Sequence, residues 1–182
     1  YRSVFDLRET ERAIKYVKDF FLNGLAQALN LTRVTAPLIV LNGTGVNDHL
    51  SGIEQPVRFV VKSIGENAEI VQSLAKWKRL ALGDYGFQHG EGLYTDMNAL
   101  RPDEVLDNLH SIYVDQWDWE RVIHAHERCI PFLQSIVRRI YEVIVATERA
   151  VCQRYEQVPG PYLPDEITFF HAYLGVYPMA GS

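Results

Sequence analysis

Three side chains between Gly92 and Glu120, in the stretch GLYTDMNALRPDEVLDNLHSIYVDQWDWE, have the types to hold a charged ligand: Arg101, Gln116 and Asp118. A guanidinium offers a planar fork of donors, and an amide with a carboxylate adds acceptors that the cation lacks. Alternation along a strand puts Ile112, Val114, Gln116 and Asp118 on one face and Tyr113, Asp115, Trp117 and Trp119 on the other. A face that begins apolar and ends in an amide and a carboxylate, with an arginine delivered from the opposite arm, suits a polar, charged ligand. Each group also has a plainer explanation. Polar residues near a strand end are usually solvated, and an arginine in a turn is usually a surface cation, so the pattern is a hypothesis to be tested in a fold.

The elements that must position these groups follow from composition and period. Leu93–Leu100 and His110–Trp119 are rich in aromatic and β-branched residues and flank a polar insert with Arg101, Pro102, Asp103, Asp107 and Asn108, which predicts an antiparallel hairpin with a long connection. Upstream, Ser3 and Asp6 offer a capping start to a helix whose stripe is Ile14, Val17, Phe20, Phe21, Leu25, Ala28 and Leu29 and which stops near Asn30. Leu31–Leu41 is predicted as one strand, with Pro37 forcing it to an edge or an interface. The glycine-rich run Asn42–Gly52 is an irregular loop: a plain surface loop, or one holding Asp48 over a site. Val57–Lys62 and Glu69–Gln72 are predicted strands. Ser73 is a good N-cap for a helix from Leu74 to about Leu82, ended by Gly83. Lys76, Lys78 and Arg79 lie on that helix beside Trp77, where the plain expectation is a solvated basic face. A long helix runs from about Pro131 to Tyr155, broken by PGPYLP, and Ile167–Phe170 is a predicted strand. The HAYLGVYPMAGS tail shows no clear element.

Composition removes several classes of function. The chain has 182 residues, 47% of them hydrophobic and 23% charged, which suits one domain with a real core. A formal net charge of −5 argues against gripping nucleic acid through its phosphates. No apolar run is long enough to span a bilayer and the N-terminal residues show no signal-peptide pattern, so the expected location is the cytoplasm, with no membrane partner. Cys129 and Cys152 make no disulfide framework. They also lack zinc-ligand spacing, and His124, His126 and Cys129 sit in a short linker with no fourth ligand nearby, so no metal site is expected from this chain. The element order predicts an α/β (α+β) fold, an antiparallel-rich mixed sheet flanked by helices.

Taken together, NDHLSG (Asn47–Gly52), VQSLAKWKR (Val71–Arg79), GEGLYTDMNALRPDE (Gly90–Glu104) and LHSIYVDQWDWE (Leu109–Glu120) resemble the ammonia-dependent asparagine synthetases, or aspartate–ammonia ligases. The likeness runs from about Phe5 to Phe170. That family is similar to the catalytic core of class II aminoacyl-tRNA synthetases, whose second motif is Arg-x-Asp/Glu, a variable loop, Arg or His, and then Phe and Asp/Glu, each after three residues. Arg101-Pro102-Asp103, His110, Val114 and Asp118 fall at those spacings, with valine in place of the usual phenylalanine. The Ile14–Pro37 segment resembles the first motif, which builds the superfamily's dimer interface.

The resemblance implies an ATP-dependent ligation. The β-carboxylate of L-aspartate attacks the α-phosphorus of ATP, and ammonia then displaces AMP from the β-aspartyl-adenylate. It also implies roles. Arg101 would hold the α-phosphate, and Lys78 would turn inward to the aspartate or the phosphates. Ser73 would meet a substrate carboxylate. Gln116 and Asp118 would hold the α-ammonium and carboxyl end, and Asp48 would meet the incoming ammonia. Asp103 would read the adenine amino group and His110 would approach the outer phosphates. A homodimer and Mg²⁺ are implied, the Mg²⁺ ligands lying outside this chain. The family's domain continues for about as long again, so residues 1–182 are expected to be one incomplete catalytic core, truncated or lacking segments after about residue 171. Alternatives are a non-catalytic binder of an amino acid or adenylate, and a tRNA synthetase relative.

Overall fold

A computed structural model of the chain describes residues 3–48 and 50–170. Helix α1 spans Leu7–Leu29 and opens where the sequence offers a cap: Asp6 Oδ1 accepts from the Glu9 amide at 2.7 Å. Asn30 ends the helix in the left-handed region at φ 56°, a conformation that asparagine adopts more readily than most residues. The buried part of its stripe is Ala13, Leu25 and Leu29. Ile14 and Phe20, expected on that stripe, are exposed.

The predicted Leu31–Leu41 strand is two strands in two sheets. β1 (Leu31–Arg33) pairs parallel with β5 (Gly92–Leu100), whereas β2 (Ile39–Leu41) pairs antiparallel with β4 (Glu66–Ile70). Pro37 lies in the break, because a residue without an N–H cannot carry one ladder through. β4 also pairs with β3 (Arg58–Val61), giving a sheet ordered β2-β4-β3, and β5 pairs with β6 (Tyr113–Arg121), giving β1-β5-β6. The α/β expectation holds, as one small mixed sheet and one small antiparallel sheet with helices. Residues 71 and 72 join them. Val71 donates to Leu38 and accepts from the Leu100 amide, both at 3.1 Å.

Helix α2 (Ala75–Asp84) differs from expectation at both ends. Leu74 takes the N-cap position without a side-chain bond, and Ser73 stands outside it. Gly83 is inside the helix. The terminator is Gly86, at φ 71°, with the Phe87 amide bonded to Leu82 O and the Gly86 amide to Gly83 O, each at 3.0 Å. That pair of bonds is the Schellman arrangement, which selects the glycine able to adopt the left-handed conformation.

β5 and β6 carry α2 on one face and helices α1 and α3 (Ile130–Arg154) on the other. Met97 and Ala99 pack with Val71 and Leu74, whereas Trp119 packs against the cluster of Leu25, Leu29, Leu31 and Ile136. Trp117 stacks on Phe21 with ring centroids 4.8 Å apart. The alternation expected for the second arm is therefore present, in a strand that starts three residues after the predicted His110 and ends two after Trp119. Residues 167–170 form no strand. The segment before them is strapped along α3, where Tyr141 Oη donates to Pro164 O at 2.6 Å and Glu148 accepts from the Tyr162 amide at 2.8 Å.

Gly92 begins β5 at a close approach. A Cβ there would lie 2.3 Å from Glu120 O and 2.9 Å from Arg121 Cα, both backbone atoms that cannot rotate away. Gly92→Ala is expected to cost about 3 kcal/mol, the upper end of overpacking penalties. A lowered urea midpoint at unchanged slope would report it.

Candidate functional site

The Asn47–Asp48 segment is held by a buried amide. Asn47, 2% exposed, donates to Glu69 Oε1 at 3.1 Å and accepts from the Gln72 amide at 2.8 Å. Glu69 is itself buried and balanced by Arg58 at 3.3 Å. With Asn47 fixed, Asp48 is carried to the start of α2. Its Oδ2 accepts from the Lys76 amide at 3.0 Å and lies 3.5 Å from Ser73 Oγ, and its Oδ1 lies 3.3 Å from Lys76 Nζ. Asp48 thus supplies, from a distant loop, the capping acceptor that Ser73 was expected to provide. A carboxylate at a helix N-terminus is favoured by the helix dipole as well as by the hydrogen bond.

Lys78 is inside. Leu74, Lys78 and Ala81 form the buried stripe of α2, so the lysine is carried under the helix onto β6, with a side chain only 7% exposed. Its Nζ contacts Asp118, donates to Trp119 O at 3.1 Å and lies 3.9 Å from Glu120 Oε2. The solvated basic face expected from composition is therefore limited to its exposed neighbours Lys76 and Arg79. Gln116 shares this face of β6, its Nε2 3.5 Å from Met97 Sδ.

Arg101 follows β5 directly. Its amide donates to Ile112 O at 2.8 Å, and its Nε lies 3.4 Å from Gln72 O. The side chain is half-buried and turned toward the β4–α2 connection at Gln72, the residue before Ser73. The fold therefore brings Asp48, Ser73, Lys78, Arg101, Gln116 and Asp118 around the N-terminal half of α2 and the strand face beneath it. Asp103 and His110 are placed differently, on the long hairpin connection. Asp103 Oδ2 accepts from the Gln55 amide at 2.8 Å. His110 is exposed, with Nδ1 2.9 Å from Asp107 Oδ1. Asp107 also accepts from the Leu109 amide at 2.7 Å. That bond first, then the His110 ring and amide, holds its carboxyl below the usual carboxylate range. A depressed carboxyl stabilises the folded loop above the ordinary aspartate range, and the contribution is lost as pH falls through the lowered value.

Three residues of the site were missed from the sequence. Asn47 carries no spacing signal, because its role depends on the β4 residues it meets. Glu120 was available: continuing the alternation from Gln116 and Asp118 by one step names it. Gln72 is fully buried, and neither atom of its side-chain amide has a partner among the described residues, nor has Thr95 Oγ1, which belongs to the residue paired with Asp118.

Chemically, the face offers a guanidinium at one end and, at the other, an ammonium held between two carboxylates with an amide beside them. Such a surface suits a ligand with an anionic part and an ammonium part. The described residues contain no group of three or more His, Cys, Asp or Glu side chains that could hold a metal ion. His124 is stacked on His89 at 3.7 Å, and His89 lies 2.8 Å from Glu127. A groove of about 980 Å³ lies between α1 and the end of α3, lined by Arg12, Lys15, Tyr16 and Arg154, and shares no residue with the polar face of β6. No helix among the described residues is long and apolar enough to cross a membrane.

Comparison with known proteins gives a consistent result. Residues 8–179 match the family model described as aspartate-ammonia ligase. A Clostridium perfringens protein named aspartate–ammonia ligase is 58% identical over 170 residues, covering 93% of this chain and 50% of that protein. Proteins of the same name from Bacteroides fragilis (54% over 173 residues, 94% of this chain and 50% of the relative) and Ruminiclostridium cellulolyticum (55% over 170 residues, 93% and 50%) match similarly. The chain spans about half the length of the curated relatives it matches.

Proposed function

This chain belongs to the aspartate–ammonia ligase family, and from that premise we propose that it contributes to the ATP-dependent amidation of L-aspartate to L-asparagine. An aspartate β-carboxylate oxygen attacks the α-phosphorus of ATP. The bond to the bridging oxygen breaks and pyrophosphate leaves. Ammonia then attacks the acyl carbon of the β-aspartyl-adenylate, AMP departs with the bonding pair, and the new amide loses a proton. The protein is a C–N-forming ligase in this reading, a homodimer acting in the cytoplasm, with aspartate, ammonia and ATP as substrates.

The observation that carries it is the buried Lys78, held against Asp118 on the strand face that also bears Gln116. A carboxylate nucleophile and a polyphosphate repel each other, so fixed cations must accept both. Lys78 suits the aspartate side and Arg101 the α-phosphate, where charge builds in the transition state. Asp118 and Gln116 face the α-ammonium end, and Ser73 donates to a substrate carboxylate. Asp48 is the group for the ammonia step, since a carboxylate can attract ammonium and take the proton released as the amine attacks. Asp103 and His110 would act on adenine and on the outer phosphates only once the hairpin connection folds over the nucleotide. Mg²⁺ would travel with the ATP phosphates, since the described residues form no group of three or more His, Cys, Asp or Glu side chains to hold it.

The intact protein, incubated with L-aspartate, ATP, Mg²⁺ and ammonium, should form asparagine and AMP in equal amounts. Absence of AMP would sink the proposal. Asp48→Ala should slow the amide-forming step by about a hundredfold, the lower end of general-base contributions, and should change aspartate-dependent pyrophosphate exchange much less. Equal losses in both assays would remove its special role.

A further inference from the structure

Lys78 meets two carboxylates, and the roles above use one of them. Asp118 and Glu120 stand two residues apart on the same face of β6, about 7 Å along the strand. Lys78 Nζ bonds Asp118 and lies 3.9 Å from Glu120 Oε2. The lysine side chain is 7% exposed, against 20% for Asp118 and 29% for Glu120, so the ammonium is the enclosed partner and both acids reach partly toward the open side. Arg121, the next residue, alternates to the opposite face and donates to Gly90 O at 3.0 Å, so it does not balance the pair. One positive charge against two negative ones leaves this end of the face short of a cation, and such a deficit favours binding one.

We propose that Glu120 is a positioning residue that keeps Lys78 in place while Asp118 is given over to the substrate's α-ammonium group. The inference rests on the aspartate reading above. With Glu120 present, Asp118 can turn to an incoming ammonium without leaving the enclosed lysine uncompensated, which would be costly. Lys78, held from its far side, stays directed at the substrate's carboxylate. With Glu120 neutralised, Asp118 must remain on Lys78 and is withheld from the ligand.

The device predicts ligand discrimination that a structural role would not produce. Calorimetry on the intact protein compares L-aspartate with succinate, which has both carboxylates but no ammonium. Glu120→Gln is expected to weaken L-aspartate binding about tenfold and to leave succinate within about twofold. Glu120→Asp, which keeps the charge, should restore most of the preference, and Glu120→Ala gives the same comparison if the amide variant folds poorly. Equal weakening of both ligands, or no change in either, would overturn the role of Glu120 while leaving the substrate assignment intact. A wild-type protein that binds neither ligand would overturn the substrate assignment, and this inference with it.

Discussion

Arg101→Lys is expected to lower aspartate-dependent pyrophosphate exchange by about a hundredfold, with little change in the melting midpoint. The side chain sits at the start of the hairpin connection with its Nε directed at Gln72 O. That contact uses one of the five guanidinium donors and leaves the terminal nitrogens free to take two phosphate oxygens at once. A lysine there keeps the charge and loses the fork. Its single ammonium would have to choose between Gln72 O and the phosphate, and it could not fix the phosphate's orientation. The stability effect should be small because Arg101 is half-buried and makes no ion pair among the described residues. Exchange at the wild-type rate would show that the guanidinium does not touch the reacting phosphate.

Lys78→Met should fail on both counts, losing activity by about a thousandfold and stability by about 3 kcal/mol. Methionine fills similar space under α2, so the loss reports charge rather than volume. Removing the ammonium leaves Asp118 and Glu120 side by side on one strand face with no counter-ion among the described residues. Breaking a buried pair by deleting one partner costs roughly 3–5 kcal/mol, and the partial exposure of both acids argues for the low end. Adding Asp118→Asn should recover part of the stability and none of the activity. Urea unfolding of the single and double variants checks the first statement, and the AMP assay checks the second. A single variant as stable as the wild type would mean that water already shields the two acids.

The hairpin, both long helices and the side-chain alternation of the second arm were legible because each is a local, periodic pattern. The breaks were less so. Pro37 was correctly marked as incompatible with a central ladder, but which sheet each half of Leu31–Leu41 would join depends on β4 and β5, far along the chain. Ser73 has the right chemistry for an N-cap and lost the place to Asp48, whose loop is anchored by contacts invisible to a local reading. Gly83 and Gly86 are both plausible helix terminators, and the φ of 71° and the two Schellman bonds at Gly86 separate them. Lys78 read as a surface cation by composition and as an inward one by family resemblance. Its spacing of four residues from Leu74, on the stripe that continues to Ala81, supplies the physical reason for the second.

Residues Val71 and Gln72 have a mechanical consequence. Their four backbone polar groups are spent on three different segments: one at Leu38, one at Asn47, and one at Leu100 and Arg101. This dipeptide works as a rivet through both sheets. The loop that carries Asp48 and the arm that carries Arg101 are clamped to the same two peptide units, so neither can drift without dragging the other, and the spacing between the proposed ammonia-side carboxylate and the proposed phosphate-side cation is built into the backbone.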